Sequence, residues 1–259
     1  MTVDPVRLER DGGLAVLTLD APPLNLFDRA MMDGLAGAVA ELEGEPPRGV
    51  LVRAEGRAVS AGVDVHLFDG LSGEAGAELW RSLLDLIHRV EALEFPTVFA
   101  AHALCLTAAF ELSLACDLLL AAESARFGLV ETVVGLTPAM GGTQRLAARA
   151  GSARARELVM TGELYDAHTL HAWGVVNRVM PDDGFAQSAL GFAQGLARGP
   201  TRAHAATKAI VAAAERGGPR AADEVVPDLA GALFDTEDLR GAVRSFLERG
   251  PGHATFEGQ

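Results

Sequence analysis

Two glutamates stand in apolar settings where a carboxylate is costly. Glu111 sits among Phe110, Leu112 and Leu114, and Glu131 closes the run Phe127-Gly128-Leu129-Val130. A buried carboxyl is destabilised in its charged form, so its pKa rises toward the range useful for moving protons. Two such acids flanking one cleft can put a proton on a substrate and take another off; read singly, each is equally a satisfied helix acid or an exposed loop acid. Two further segments offer backbone chemistry. In Ser60-Ala61-Gly62-Val63-Asp64, Gly62 permits a sharp turn that brings the Val63 N–H into a cleft. In Leu106-Thr107-Ala108-Ala109-Phe110, the free N–H groups of a helix start can receive a developing oxyanion. Pro138 and Gly141-Gly142 force a turn within Gly135 to Leu146 before another helix begins, as a packing turn or a ligand contact.

Apolar runs at Leu14 to Leu19, Gly49 to Arg53, Thr97 to Ala101, Leu118 to Ala122 and Val175 to Val179 predict strands that could carry these segments. Helical spacing predicts helices over Met31 to Leu42 and Glu78 to Leu93 between them. That alternation is an α/β arrangement, regular enough to permit a spiral of ββα units. From about Phe185 the chain is rich in Ala and Arg. Helices are expected at Phe185 to Leu196, Thr201 to Glu215 and Asp235 to Arg249, the last with an acidic start and a basic end that suit the helix dipole. We divide the chain into a core over 1–195 and a helical C-terminal subdomain over 196–259.

With 22 Lys and Arg against 35 Asp and Glu, the 259-residue chain has a net charge of −13, which argues against nucleic-acid or anionic-membrane partners. Lys208 is its single lysine, so anion binding falls to arginines or backbone N–H groups. Cys105 and Cys116 lack neighbouring ligands and read as buried free thiols rather than a disulfide or metal site. Met1-Thr2-Val3-Asp4-Pro5 carries no secretory pattern, which makes the cytoplasm the expected compartment. Thr97 to Ala122 is apolar, but His102, Glu111 and Asp117 make it buried core rather than a membrane span.

In order along the chain, Pro23-Leu24-Asn25, Gly56 to Asp64, Glu111 to Asp117, Ala125-Arg126-Phe127-Gly128 with Glu131, Gly135 to Leu146, Thr161-Gly162 with Gly174 to Val179, and Thr236-Glu237-Asp238 with Phe246 to Arg249 resemble the landmarks of the enoyl-CoA hydratase/isomerase, or crotonase, superfamily. The resemblance spans nearly the whole sequence. It implies a spiral core of ββα units, a helical C-terminal region that forms a trimer or a dimer of trimers, and an acyl-CoA thioester as substrate, with no cofactor beyond the coenzyme A that the substrate carries. The matching oxyanion-hole donors are the N–H groups of Val63 and Ala108; removing one such donor in a comparable site costs roughly 2.7–4 kcal/mol. Glu111 matches the acid that activates water, and Glu131 the acid that protonates Cα. Retaining both favours a hydratase over a 3-enoyl to 2-enoyl isomerase, which commonly manages with the acid at the Glu131 position, and over a non-catalytic acyl-CoA binder.

The same resemblance places Ala61, Gly62 and Asp64 beside the substrate, offers Arg29, Arg57 and Arg249 for the CoA anion, and gives an acyl pocket shaped by Leu67, Phe68, Trp80, Leu84, Pro138 and Met140, with Phe246 near the ligand. Two departures stand out. Thr107-Ala108-Ala109 replaces three glycines, which narrows the groove and strains the backbone if φ there must be positive. His102-Ala103 replaces an Asn-Gly pair, making His102 either a local acid or base or a satisfied core histidine.

Overall fold

The computed structural model describes residues 4–259, so the first three residues of the N-terminal reading lie outside it. The chain opens with a hairpin, β1 (Val6–Asp11) and β2 (Leu14–Leu19), paired from Val6↔Leu19 to Asp11↔Leu14 around Gly12 at φ +58°. From β2 the main sheet runs parallel through β3 (Gly49–Ala54), β4 (Thr97–Ala101), β6 (Leu118–Ala122) and β9 (Arg178–Met180), in the order β1-β2-β3-β4-β6-β9. Parallel strands covered on both faces read as unbroken apolar runs, and every residue of β2 and β4 is buried.

A smaller sheet orders β5 (Leu104–Leu106), β7 (Arg126–Gly128) and β8 (Tyr165–Asp166). Each turn of the chain visits the main sheet, then this second layer, then a helix: β4, β5 and α3 (Ala108–Ala115) in one turn, β6, β7 and α4 (Gly142–Ala150) in the next. The earlier turns follow suit with single bridges in place of strands. Phe27 pairs in parallel with Val63 ahead of α1 (Arg29–Gly44), and Ser60 with Cys105 ahead of α2 (Gly73–Ala92). The ββα repetition is therefore real, with its second strand shrunk to one residue in two turns.

Caps fix the helix starts. Asp28 accepts from Met31 N at 2.8 Å to open α1, and Ser72 from Ala75 N at 3.2 Å to open α2, so both helices begin earlier than their apolar spacing shows. After β7 come α4, α5 (Ser152–Thr161) and α6 (Ala167–Ala172). The strand expected at Val175 to Val179 starts at Arg178 instead. The N–H groups of Val175 and Val176 both bond to Leu170 O and close α6, so neither is free to enter the ladder.

Then follow α7 (Phe185–Ala197), α8 (Thr201–Gly217), α9 (Pro219–Ala232) and α10 (Glu237–Arg249). The division at 195/196 falls inside α7, whose Ala189, Ala193 and Ala197 are buried with the core. The helix expected from Asp235 starts at Glu237, where Thr236 Oγ1 accepts from Leu239 N at 3.1 Å; Leu233–Asp235 forms a separate short turn. The single lysine joins the helical end to the core: Lys208 on α8 reaches Asp117 Oδ2 at 2.9 Å and Phe95 O at 3.1 Å, while Asp117 also accepts from Thr97 N and Oγ1. Among the described residues no helix is long and apolar enough to cross a membrane.

Candidate active site

The loop before α1 and the loop after β3 are stitched together by Asn25. Its Oδ1 accepts from Ala21 N at 2.7 Å, and its Nδ2 donates to Glu55 O at 2.8 Å and Ala58 O at 3.0 Å. This staple positions the segment beyond it. Ala61 N donates to Leu24 O; Phe27 N donates to Gly62 O and Asp64 N to Phe27 O, and these last two are the bonds of a parallel bridge around Val63. In that geometry the N–H of Val63 points the other way, and it has no acceptor among the described residues.

The second set of donors comes from α3. Thr107 precedes it at φ +46°, ψ −121°, and makes no side-chain cap. Ala108, Ala109 and Phe110 therefore keep the orphan N–H groups of a helix start, without protein acceptors among the described residues. The helix is buried on all sides, and Glu111 within it is 2% exposed. Its Oε1 accepts from Met140 N at 2.9 Å and Gly142 N at 2.8 Å, so the turn before α4 holds one carboxyl oxygen in place. That turn is itself braced. Arg145 Nη1 donates to Gly141 O at 3.2 Å, and its Nε donates to Glu91 Oε1 on α2 at 2.6 Å.

Glu131 opens the short turn Glu131–Val134. Both its carboxyl oxygens are buried and lack a partner among the described residues. Burial pushes its pKa up to about 7. Burial also pushes Glu111 up, to about 8, with the neighbouring Glu131 charge adding to it and the two backbone N–H groups opposing. Like charges this close do not ionise independently, so the pair holds one shared proton near neutrality. Two backbone N–H groups favour the Glu111 anion while burial opposes it, so the shared proton can sit on either carboxyl.

These groups meet in a cavity of about 730 Å³, counting its open mouth. Of the residues singled out in the sequence, Ala61, Gly62, Val63, Phe68, Trp80, Glu111, Glu131 and Met140 line it. Trp80 and Phe68 meet in a tilted contact, ring centroids 5.5 Å apart and planes at 54°, on one side. Ala108 is fully buried and is not itself part of the wall, which its neighbour Thr107 lines. Pro138 is buried off the wall between Thr137 and Ala139, which do line it, and Leu67 and Leu84 are partly buried but also off it. Asp64 caps a short turn and pairs with His66 Nδ1 at 2.7 Å. Arg29 and Arg57 are exposed, as are Phe246 and Arg249 on α10, where Arg249 bonds Ser245 Oγ and His253 O; none of the four lines the cavity of the single chain. His102 donates through Nε2–H to Gly56 O, 2.9 Å away.

The sequence reading omitted Val65, Thr107, Val130, Val133, Val134, Leu136, Thr137 and Ala139 from the wall. Its available signal was Val133-Val134, which follows Glu131-Thr132 in the same short turn, an apolar pair left 80% and 52% exposed. Among the described residues no group of three or more metal-ligating side chains converges.

The acids leave a mark on stability. Glu131 has its folded pKa raised above 4.5, so its neutral form is favoured on folding; that preference is intact below pH 4.5 and is lost as pH rises through about 7. Between pH 5 and pH 8.5 the wild-type protein is expected to lose about 2 kcal/mol more stability than Glu131→Gln, after allowance for partial solvent screening. Urea unfolding at the two pH values measures it; parallel losses in both proteins would contradict the burial argument.

The sequence profile of the enoyl-CoA hydratase/isomerase family matches residues 9–259. A protein of Rhodobacter capsulatus named probable enoyl-CoA hydratase is 33% identical over 258 residues, 98% of this chain and 99% of its own. The short-chain-enoyl-CoA hydratase of Clostridium acetobutylicum is 28% identical over 255 residues, 96% and 97% of the two chains. The crystal structure of enoyl-CoA hydratase from Bacillus anthracis superimposes with a TM-score of 0.91 at 25% identity, covering 98% of this chain and 100% of the other. With a crotonase fold and a family match over nearly its full length, this chain belongs to the enoyl-CoA hydratase/isomerase family.

Proposed function

We propose that the protein adds water reversibly across the 2,3 double bond of a 2-enoyl-CoA thioester. The observation that carries this reading is the pair Glu111 and Glu131 on one cavity wall, with the unclaimed N–H of Val63 lining the same space. Hydration needs a base toward water at Cβ and an acid toward Cα. Glu111, anchored through Oε1, takes the proton of water; Glu131 delivers its own to Cα. The thioester oxygen gains charge as water adds, and the N–H groups of Val63 and Ala108 hold it. Because one acid must be ionised and the other protonated, activity is expected to peak between about pH 7 and about pH 8 and to fall on both sides.

Coenzyme A enters as part of the substrate, and the mechanism calls on no further cofactor or metal. The apolar wall of Val65, Phe68, Trp80 and Leu136 supports an apolar acyl group. Exposed Phe234, Phe246 and Leu247 on the helical end support a trimer or dimer of trimers, and two buried free thiols suit a cytoplasmic setting. Mixing the protein with crotonyl-CoA and longer enoyl-CoA esters should bleach the enoyl-thioester absorbance. Calorimetric binding with no bleaching at any chain length would leave a non-catalytic acyl-CoA binder instead.

A further inference from the structure

Thr107 bears two costs that nothing among the described residues repays. It is β-branched yet held at φ +46°, a region where side chains clash with the backbone and glycine is the ordinary occupant. It is also 7% exposed, and its Oγ1 is buried without a hydrogen-bond partner among the described residues. The backbone of the residue is satisfied: its N–H donates to Gly128 O at 2.9 Å, and its carbonyl accepts from Glu111 N at 2.8 Å. Only the hydroxyl is open. Strain of this kind persists where the surroundings over-determine it, and it clusters at ligand sites; an unsatisfied buried hydroxyl in the same residue needs a partner from outside the chain.

The location says what that partner is. Thr107 lines the cavity, directly precedes Ala108, and packs against Gly62, the residue before Val63. Its Oγ1 is 2.8 Å from where a Cβ on Gly62 would stand, so the hydroxyl occupies ground that only a glycine leaves free. The side chain is thus wedged between the two segments whose N–H groups form the proposed oxyanion hole. The hydroxyl rotor therefore stands against the residue before Val63 and on the residue before Ala108. A threonine O–H turns to suit its acceptor, and a negative oxygen at the orphan N–H groups of a helix start is a strong one.

We propose that Thr107 donates, through Oγ1–H, a third hydrogen bond to the thioester oxygen as it becomes an enolate. The proposal rests on the reading of Val63 and Ala108 given above. It makes the departure from glycine at this position a gain in oxyanion stabilisation in exchange for backbone strain.

The test compares Thr107→Val, which keeps shape and strain but removes the hydroxyl, with Thr107→Ser, which keeps the hydroxyl, and Thr107→Gly, which removes strain and hydroxyl together. Hydration of crotonyl-CoA gives kcat and KM, and the infrared carbonyl stretch of bound hexadienoyl-CoA reports polarisation of the thioester. Thr107→Val is expected to lower kcat by about tenfold to a hundredfold, below the ~10²–10³ of a main donor, with KM nearly unchanged. Its bound carbonyl stretch should move toward the free-ligand frequency, and Thr107→Ser should restore both. Thr107→Gly should be slower than wild type despite its relaxed backbone. A Thr107→Val enzyme with wild-type kcat and stretch, or a Thr107→Gly enzyme as fast as wild type, overturns the third donor while leaving the hole intact. A wild-type protein that binds the probe without shifting its carbonyl overturns the hole as well.

Discussion

Glu111→Gln and Glu131→Gln should each lower kcat for enoyl-CoA hydration by about 10²–10⁴, the span a positioned acid or base supplies, while acyl-CoA affinity changes little. The two losses have different origins. A glutamine at 111 still presents an Oε1 to Met140 N and Gly142 N, so the turn stays closed. What it lacks is a carboxylate able to take the water proton. A glutamine at 131 loses nothing structural, because neither carboxyl oxygen there has a partner among the described residues. It removes the proton bound for Cα. Stopped-flow hydration of crotonyl-CoA, with calorimetry on a saturated acyl-CoA, separates chemistry from binding. An enzyme that moves a 3,4 double bond into conjugation, and does so equally well after Glu111→Gln but not after Glu131→Gln, would be an isomerase. Full hydration activity in both variants would remove the acids from the mechanism.

Much of this site is legible in the sequence because its chemistry conflicts with its surroundings. Glu111 shows itself as the one charge in a helix buried all round, and Glu131 by the apolar run before it. β2, β4 and β6 keep the bounds their apolar runs predict, since strands packed on both faces leave hardly any solvent-facing position to blur the edges. Elements held by long-range hydrogen bonds are less visible. Val175 and Val176 read as strand yet spend their N–H groups on Leu170 O. The helix α9 hides behind Gly217-Gly218-Pro219 and carries Pro227 inside it, residues that read as loop. The brace from Glu91 through Arg145 to Gly141 joins residues 54 apart, and no spacing rule links them. Nor does the sequence say that Thr107 rather than Ala108 faces the cavity: the substitution of the glycines is visible, but the +46° φ that makes it costly is a property of the folded turn.

The turn before α4 supplies the second large effect. A Cβ added to Gly142 would lie 2.6 Å from Glu111 Cγ and 3.0 Å from its Oε1, so Gly142→Ala cannot be accommodated unless the carboxylate moves. Both elements are buried, and relief by shifting either costs about 1–3 kcal/mol of overpacking. Displacing Glu111 carries Oε1 away from Met140 N and Gly142 N, loosening the base by something near an ångström; misplacement on that scale costs on the order of 10² in rate. Losing the two donors also removes what favours the anion, so the pKa of Glu111, already the higher of the pair, should climb further and the alkaline limb of the activity profile should move to higher pH while its maximum falls. A control separates this from a general effect of alanine. Gly37 in α1 has open space where its Cβ would go, and Gly37→Ala should raise stability by roughly 0.4–1 kcal/mol with activity unchanged. Urea unfolding and a pH profile of kcat on both variants decide the matter. If Gly142→Ala keeps wild-type activity and the wild-type profile, the turn before α4 does not set the position of the base.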